Sequence, residues 1–565
     1  MSARPAANDQ VWPSGEQLDV ARILKDNASA CYQCEQARGP GCNTKSGVCS
    51  KSPETTAIQD HITWLCMQFA ATALKDRTKV TDEQLVLFNR AIFTTLTNVN
   101  FDDDALMRYA DDLTAELANL GVKGVQKSAA EARATLNEFG LAHRLHKFGQ
   151  TLGGLRETVI YGIRGAAAYA DHTFVLAGLE PVRKETWMNV EAMAELSKDD
   201  LSVDTLLGLV LKVGEANFGI MAALDKAHND ALGQPSFAPV NTRPVEGKCI
   251  LITGHDMDDL RKLLEQCEPR GVNVFTHGEM IPAHAYPALR KYKCLAGNFG
   301  TSWRNQRKEF PLFPGPVLFT TNCIMPPRDD YKHRVFTTGR VGFPGLTHVE
   351  NGEFEPAIKA ALEAPGYTKA DVEAANAESP LLVGAMHAEV LSHAGKILEL
   401  IGAGKLRHII FIGGCDGSTP GRNYFSDLAE AVPDDCLILT GACGRYRINR
   451  VKDYGDIEGI PRLLDVGQCN DVFSAIKIAV ALSEATGLAV NDLPLSLCVS
   501  WFEQKAVAVL LTLLHLGIRN IRLGPSLPRF LTPDALGVLA DKFALKPTNN
   551  GDAKADLADM LAGEH

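Results

Sequence analysis

Residues 248–278 read KCILITGHDMDDLRKLLEQCEPRGVNVFTHG, and this stretch decides the fold of the chain. Its first seven and last seven residues are short, β-branched apolar runs typical of buried strands. The segment between them, DMDDLRKLLEQC, carries apolar residues at helical spacing. A strand, a helix and a second strand in this order form a βαβ unit with parallel strands, so we predict an α/β domain here.

The same alternation continues towards the C-terminus. PVLFTTN extends the first sheet, and a second series of strand-like runs follows: HIIFIGG, CLILTGA, LLDVG, LPLSLCVSW and IRNIRLG. Two helical stretches separate members of this series, NDVFSAIKIAVALSEATG and EQKAVAVLLTLLHLG. The alternation predicts two Rossmann-like α/β domains with mostly parallel sheets.

Towards the N-terminus the periodicity is helical instead. Between about residues 55 and 233, apolar residues recur at spacings of three and four, which predicts an all-helical bundle. The prolines of GQPSFAPVNTRPVEGK then mark a boundary. At 565 residues the chain is long enough for three domains. We predict a helical domain over 1–240 with a cysteine loop at 31–49, and α/β domains over 241–385 and 386–565.

Charge and hydropathy narrow the class of partner. The formal net charge of -11 argues against nucleic acid or an anionic membrane as a partner, because no basic run stands out. Residues 1–30 lack the apolar core of a secretory signal, and apolar stretches such as AVAVLLTLLHLGI are too short to span a bilayer. We therefore expect a cytoplasmic protein whose partner is a small molecule or another protein. In that reducing compartment, clustered cysteines favour metal binding or catalysis over disulfides.

Four of the fourteen cysteines crowd into one run, CYQCEQARGPGCNTKSGVC. A CxxC pair, Cys31 and Cys34, is followed by Cys42 and Cys49 after seven and six intervening residues. Structural zinc is the alternative, but zinc sites usually pair two CxxC motifs and only one is present. The spacing favours a cubane iron–sulfur cluster without an open position, which would store or relay electrons.

Seven further metal-capable side chains each follow a predicted strand: His255, Glu279, Cys323, Cys415, Cys443, Cys469 and Glu503. Singly, a strand-end cysteine is usually a small buried hydrophobe, and a histidine or glutamate there is usually a cap or a satisfied surface group. Their shared position favours a role as metal ligands for all seven, because ligands bind beyond the carboxyl ends of strands in open α/β sheets. Thiolates suit iron and sulfide, whereas imidazole and carboxylate suit a harder iron. We therefore predict a second centre that is open on one side.

Five of the remaining six cysteines lie within or at the start of predicted strands or on predicted helices, and we interpret them as core residues: Cys66, Cys249, Cys267, Cys436 and Cys498. Cys294, in KYKCLAG, is grouped with them. The glycine-rich stretch FIGGCDGSTPG lacks the GxGxxG spacing of a dinucleotide site. The phosphate-loop-like GAGKL precedes a strand and has no Ser or Thr after its lysine. Without a nicotinamide or flavin site, electrons are expected to come from a separate protein.

Seven motifs resemble, in the same order, those of the hybrid cluster proteins, also called hydroxylamine reductases. They are THGEMIPAHAYP, LFPGPVLFTTNCIMPP, RVFTTGRVGFPG, FIGGCDG, LTGACGRYR, LLDVGQCND and WFEQKAV. The resemblance runs from the N-terminal cysteines almost to the C-terminus. It implies a helical domain followed by two α/β domains, related in architecture to the nickel-iron carbon monoxide dehydrogenases.

The resemblance also implies two cofactors. A hybrid 4Fe-2S-2O cluster would be bound by the same seven strand-end residues, with Cys415 carrying a persulfide. The short spacing of Cys31, Cys34, Cys42 and Cys49 resembles the 4Fe-4S type of the family rather than the 2Fe-2S type. His255, Glu279, Cys415 and Glu503 are the implied catalytic residues, and Lys505 is added to them as a candidate because it lies near Glu503 in sequence.

The implied reaction is cleavage of an N–O bond, in which hydroxylamine, two electrons and two protons give ammonia and water. Lys505 and His277 are candidates for proton delivery, with a supporting or surface role as the alternative for each. Reduction of nitric oxide to nitrous oxide in nitrosative-stress defence is a second enzymatic possibility. A protein that nitrosylates partners or senses nitric oxide is a third. Carbon monoxide dehydrogenase activity is disfavoured, because a histidine and two glutamates are harder ligands than a nickel-sulfide centre would take.

Overall fold

The structure is a computed structural model. It describes residues 18–27, 30–35, 37, 42, 49, 51–122, 139–376, 378–414, 421–500, 504–549 and 551–563. Two of the predicted site residues, Cys415 and Glu503, lie outside these ranges.

Among the described residues up to 232, the long elements are all helices, as the periodicity predicts. They are α1 (Val20–Asn27), α2 (Pro53–Ala73), α3 (Asp82–Thr94), α4 (Asp103–Asn119), α5 (Leu141–Ala177), α6 (Arg183–Glu195) and α7 (Val203–Leu232). Their starts follow ordinary capping chemistry. Ser52 caps α2 by accepting from the Thr55 N–H, and Thr81 and Gln84 form a capping box at α3.

The first large sheet contains six parallel strands in the order β4-β3-β2-β5-β6-β7. These strands are β2 (Cys249–Thr253), β3 (Asn273–His277), β4 (Leu295–Asn298), β5 (Val317–Phe319), β6 (Val335–Thr338) and β7 (Thr347–Val349). The helices of this region are α8 (Met257–Cys267), α9 (Pro287–Arg290), α10 (Gln306–Glu309), α11 (Asp329–Lys332), α12 (Glu355–Glu363) and α13 (Lys369–Ala374). The βαβ unit predicted at 248–278 therefore lies at the centre of this sheet, with β2 between β3 and β5.

The second large sheet is also six-stranded and parallel, in the order β13-β10-β9-β14-β15-β16. Its strands are β9 (His408–Gly413), β10 (Cys436–Gly441), β13 (Leu463–Asp465), β14 (Leu495–Val499), β15 (Arg522–Leu523) and β16 (Lys546–Pro547). The helices of this region are α14 (His387–Ser392), α15 (Ala394–Gly402), α16 (Tyr424–Ala431), α17 (Arg445–Ile448), α18 (Phe473–Thr486), α19 (Gln504–His515), α20 (Pro533–Phe543) and α21 (Ala553–Leu561).

Two short antiparallel pairs complete the sheet structure of the described residues. They are β1 (Ala238–Val240) with β8 (Leu381–Val383), and β11 (Asp456–Ile457) with β12 (Ile460–Pro461). The predicted fold class, a helical bundle followed by two mostly parallel α/β units, is confirmed. The domain boundaries at 240/241 and 385/386 stay predictions.

Helix α19 packs closely against the helical bundle, because glycines on α5 and α7 face it. A Cβ added at Gly165 would lie 2.2 Å from the backbone oxygen of Gln504, and one at Gly214 would lie 2.1 Å from that of Leu511. A larger residue at either position would push α19 away. The first turn of α19 is therefore held against the bundle, and that turn carries Gln504 and Lys505.

One helix of the described residues is long and apolar enough to cross a membrane by length and composition. This is α7, whose most apolar window has a mean hydropathy of 1.4 and is 56% buried in the fold. From the sequence, we predict that the apolar stretches are too short to span a bilayer. The length of α7 contradicts that prediction. The buried residues of α7 pack with α5 and α19 in the main core, and core helices pass the same test.

Candidate metal centres

Five of the seven predicted strand-end residues line one cavity where the two large sheets meet. They are His255, Glu279, Cys323, Cys443 and Cys469. The first two directly follow the neighbouring strands β2 and β3, so parallel pairing brings them to the same sheet edge. The cysteines follow β5, β10 and β13 by a few residues. Cys415 and Glu503 stay predictions, since they lie outside the described residues.

Three of these residues are close enough to share one metal ion. Each of the three residues, His255, Glu279 and Cys469, offers one ligand atom, and these three atoms all lie within 4.8 Å of one another. His255 Nε2 lies 3.8 Å from Glu279 Oε2, and both side chains are buried. Imidazole, carboxylate and thiolate at one point form a mixed donor set that suits iron with both sulfide and oxygen neighbours.

The His255 ring is oriented by a hydrogen bond on its far side. Its Nδ1 lies 2.8 Å from Thr321 Oγ1, which leaves Nε2 directed at Glu279. Burial, followed by the positive charge of Lys505, holds the pKa of His255 well below its usual range. The ring is therefore neutral, which is the form that binds metals.

Glu279 has one free oxygen in the buried site. Its Oε2 accepts a hydrogen bond from the Cys469 backbone N–H at 2.9 Å, whereas its Oε1 has no hydrogen-bond partner among the described residues. A buried carboxylate oxygen without a partner is unfavourable unless a metal or a ligand binds it. This orphaned atom shows that the residues present fit a metal centre.

Backbone strain accompanies two of the cysteines. Cys323 itself has φ of 75°, and Ala442, immediately before Cys443, has φ of 56°. Non-glycine residues rarely adopt this left-handed region, and such residues cluster at functional sites. The strained turn of Cys323 is held by its N–H, which donates to the Asn98 carbonyl at 2.8 Å.

Lys505 brings a buried positive charge to the same region. Its side chain is 0% exposed, and its Nζ donates to Asn322 Oδ1 at 3.1 Å and to Asn470 Oδ1 at 3.3 Å. These two asparagines adjoin Cys323 and Cys469 in sequence. No carboxylate of the described residues forms an ion pair with Lys505. A buried ammonium with only neutral partners fits an anionic cluster in the adjoining cavity.

The four cysteines of the N-terminal run line a second cavity. Cys31, Cys34, Cys42 and Cys49 surround it together with Lys51. Cys31 and Cys42 are joined by a pair of backbone hydrogen bonds, each 2.9 Å long. The predicted convergence of these cysteines is therefore present in the structure. Four thiols beside one buried cation form a donor set that fits an iron–sulfur cluster.

Trp303 lines both cavities. Its side chain packs with Met325 and lies against Cys323 and Cys443. Asn98 is a second link, since it lines the N-terminal cavity and its carbonyl accepts from Cys323. Sequence reasoning missed Trp303, because no local pattern marks it. Asn322 and Asn470 were also missed, although their places beside Cys323 and Cys469 could have signalled them.

The two candidates for proton delivery occupy different places. Lys505 donates to Asn322, which lines the open cavity, and to Asn470, which adjoins the cavity residue Cys469 in sequence. His277 instead lies with Nδ1 2.9 Å from Thr253 Oγ1 and Nε2 3.4 Å from Glu309 Oε2. Neither His277 nor Lys505 is itself among the described residues that line the cavity. Lys505 is joined to the cavity through Asn322, whereas the His277 partners Thr253 and Glu309 are not among the described residues that line it.

The six cysteines interpreted as core residues are all buried. Burial raises the pKa of Cys249, Cys267 and Cys436 to about 12 each. Each of the six belongs to a hydrophobic core cluster, and none is among the described residues that line either metal cavity. The interpretation of these six as core residues is therefore confirmed.

An apolar cavity adjoins the open metal site. It lies between α18, α19 and one face of the second sheet, and Val480 at its outer side is 43% exposed. Phe411, Val472, Val509 and Leu513 line both this cavity and the metal cavity. The two cavities therefore meet at an apolar wall of four side chains.

The fold and the two cysteine-lined cavities define a multidomain α/β protein with sites for metal clusters. The family model described as the Prismane/CO dehydrogenase family matches residues 29–558, and the chain belongs to this family. Solved carbon monoxide dehydrogenases share the fold. The as-isolated, Ni-free enzyme from Thermococcus sp. AM4 has a TM-score of 0.56 at 16% identity, covering 100% of this chain and 97% of that one. Carbon Monoxide Dehydrogenase IV from Carboxydothermus hydrogenoformans has a TM-score of 0.55 at 14% identity, covering 97% and 95%.

Relatives with higher sequence identity carry a different name. A protein named hydroxylamine reductase from Thermodesulfovibrio yellowstonii is 44% identical over 94% of this chain and 99% of its own length. The hydroxylamine reductase of Maridesulfovibrio salexigens is 44% identical over 93% and 99%. That of Yersinia pseudotuberculosis is 43% identical over 92% and 97%.

Proposed function

We propose that the chain is an iron–sulfur oxidoreductase that reduces hydroxylamine to ammonia and water. The observation that carries this proposal is the convergence of one imidazole, one carboxylate and three thiols on a single buried cavity. A second, four-cysteine cavity lies beside it and shares Trp303. The names of the relatives at 43% to 44% identity support hydroxylamine as the substrate.

The residues of the open cavity would hold a hybrid iron–sulfur–oxygen cluster, here taken as 4Fe-2S-2O. His255, Glu279, Cys323, Cys443 and Cys469 would be its ligands, joined by Cys415 and Glu503. Cys31, Cys34, Cys42 and Cys49 would hold a 4Fe-4S cluster. When bound, the hybrid cluster supplies a Lewis-acidic iron and the electrons for cleavage of the N–O bond.

The protein's own groups prepare the site for this reaction. Thr321 fixes the His255 ring, and the Cys469 N–H fixes the Glu279 carboxylate. Lys505 is held by Asn322 and Asn470 with protons on its Nζ, so it can provide a proton to the leaving oxygen. Hydroxylamine takes up two electrons and two protons, the N–O bond breaks, and ammonia and water are released.

Electrons would come from a separate donor protein through the four-cysteine centre. Among the described residues, Trp303 lines both cavities, and Asn98 lines the N-terminal cavity and accepts a hydrogen bond from the Cys323 N–H of the other. The adjoining apolar cavity suits a small, uncharged substrate and disfavours ions, because its lining offers ions little polar compensation.

Anaerobically purified protein provides the test. We expect about eight irons per chain, as two clusters of about four irons require, with little zinc or nickel. Electron paramagnetic resonance (EPR) should resolve two centres, and turnover should yield one ammonia for every two electrons consumed. Abundant zinc, or no formation of ammonia with a reduced donor, would contradict the proposal. Comparing kcat/KM for hydroxylamine and nitric oxide with one donor separates the two reductase reactions.

The predicted ligand Glu503 needs its own variant. Replacement of Glu503 by Gln should alter the EPR signal of the hybrid centre and reduce turnover, since the amide is a weaker metal ligand. Full turnover with an unchanged signal would remove Glu503 from the ligand set.

A further inference from the structure

Lys51 is a buried cation beside the four N-terminal cysteines. Its side chain is only 1% exposed, and its Nζ donates to Gln33 Oε1 at 2.9 Å and to Gln59 Oε1 at 2.8 Å. Both acceptors are neutral amides, and no carboxylate of the described residues forms an ion pair with it. Burial of an ammonium without a counter-charge is strongly unfavourable. The positive charge therefore needs an anionic partner that the described side chains do not supply.

The nearby acid does not neutralise this charge. The negative charge of Asp60 acts on Cys31 as well. However, Asp60 Oδ1 lies 3.5 Å from Arg144 and 3.9 Å from Arg164, so this carboxylate is already paired with two arginines. Lys51 and Cys31 line the same cavity. The cavity lined by the cysteines is the remaining place for a compensating negative charge.

The direction of the Lys51 side chain is set by the cysteine loop itself. Gln33 lies inside the CxxC motif, and its Oε1 also accepts from Thr97 Oγ1 at 3.2 Å. Its Nε2 donates to the Thr95 carbonyl and to Gln59 Oε1, both at 3.1 Å. The amide cannot turn without losing these bonds. Lys51 is thus held against the loop that carries Cys31 and Cys34.

We propose that Lys51 is the charge-compensating residue of the N-terminal centre and raises its reduction potential. This inference rests on the proposed four-cysteine iron–sulfur centre. Four thiolates around iron and sulfide leave a net negative charge, and reduction by one electron increases it without making or breaking a bond. A fixed cation stabilises the reduced state more than the oxidised state, and net charge near the cluster sets its potential. The centre is thereby made easier for a donor protein to reduce.

The test compares Lys51→Met with Lys51→Arg, which keeps the charge. Lys147→Met is the matched control, because Lys147 is exposed and pairs with Asp199 at the surface. Each holoprotein is titrated anaerobically with dithionite as the electron source while the EPR signal of the N-terminal centre is followed. We expect a more negative midpoint potential only in Lys51→Met, with the ratio of reduced to oxidised centre falling about tenfold or more at fixed potential. A wild-type midpoint in a fully iron-loaded Lys51→Met protein would overturn the inference.

A second variant, Gln59→Glu, tests the inference in case the Lys51→Met protein does not bind iron. Gln59→Glu places a carboxylate against Lys51 Nζ, so it neutralises the cation without removing it. The same negative shift is expected, and an unchanged midpoint would overturn the inference. The proposed centre is tested separately by the metal content of the wild-type protein. Zinc at the four cysteines would refute the centre itself, whereas iron with an unshifted midpoint would refute only the role of Lys51.

Discussion

Gln504 and Gln33 are 471 positions apart in the chain, and the Gln504 side-chain amide donates a hydrogen bond to the Gln33 carbonyl at 3.0 Å. Gln33 lies inside the CxxC motif, and Gln504 immediately precedes Lys505. Gln504 also bonds Thr97 twice, through its Oε1 to the N–H at 2.8 Å and through its Nε2 to Oγ1 at 3.0 Å. One buried side chain therefore joins the loops of the two candidate metal centres.

Replacement of Gln504 by Leu should loosen both loops at once. Three buried hydrogen bonds lose their partner, and each buried group left unsatisfied is destabilising by about 1 to 3 kcal/mol. We expect lower stability and altered EPR signals of both centres in the purified holoprotein. Gln68→Leu is the control, because the Gln68 side chain is only half-buried and forms no hydrogen bond with the part of the chain that the structure describes. Two unchanged signals in Gln504→Leu would show that this side chain does not couple the loops.

Glu279 is predicted to be a metal ligand, so the charge of its carboxylate should matter more for metal binding than the shape of its side chain. Glu279→Gln keeps the size of the side chain but weakens coordination through Oε1. We expect turnover of hydroxylamine to fall by about hundredfold or more, with loss of the hybrid EPR signal. Glu309→Gln serves as the control, since Glu309 contacts His277 away from the cavity lining. A normal hybrid signal in Glu279→Gln would exclude the carboxylate as a ligand.

Val509 lies in the wall shared by the apolar cavity and the metal cavity. If substrate passes this wall, Val509→Trp should obstruct it, whereas Val509→Ala should leave it open. We expect kcat/KM for hydroxylamine to fall by about tenfold in the tryptophan variant, with an unchanged EPR spectrum. Stopped-flow kinetics on both variants provide the measurement. Equal kcat/KM values would place the entry route elsewhere.

His284 should make stability depend on pH. Burial lowers the pKa of His284 from 6.5 to about 4, and its Nε2 lies 3.0 Å from Thr276 Oγ1. Between these pKa values the unfolded chain binds a proton that the folded protein excludes. The stabilisation is therefore complete above pH 6.5 and is lost as pH falls towards about 4. Its full size is at most about 3.5 kcal/mol, at about 1.4 kcal/mol per pKa unit.

The measurement is the urea unfolding midpoint of wild type and His284→Gln at about pH 7 and about pH 5. Glutamine cannot take up the proton, so the variant should lose less stability on acidification. Other buried histidines contribute equally to the pH dependence of stability in both proteins. The difference between the two losses of stability is therefore due to His284. Identical losses in the two proteins would refute the predicted shift.

Much of the fold could be predicted because its signals are local. Strand and helix periodicities occupy windows of a few residues, so the helical bundle, the βαβ unit at 248–278 and the later strands follow from short stretches. The short strands Leu463–Asp465 and Arg522–Leu523 lie within predicted runs but are shorter than those runs. Pairing with a neighbouring strand sets their length, and a single stretch of sequence contains no information on its neighbour.

The sequence by itself determined that cysteines, His255 and Glu279 lie at strand ends, because parallel strands place their carboxyl ends on one edge. It also marked the four N-terminal cysteines by their spacing. Only the tertiary structure decided that His277 is bound by Thr253 and Glu309 while Lys505 is joined to the open site by a hydrogen bond. The burial of Lys51 and the place of Trp303 between two cavities were likewise decided there. These features depend on contacts such as that between Gln33 and Gln504, which arise when distant segments pack and leave no periodic pattern in the chain.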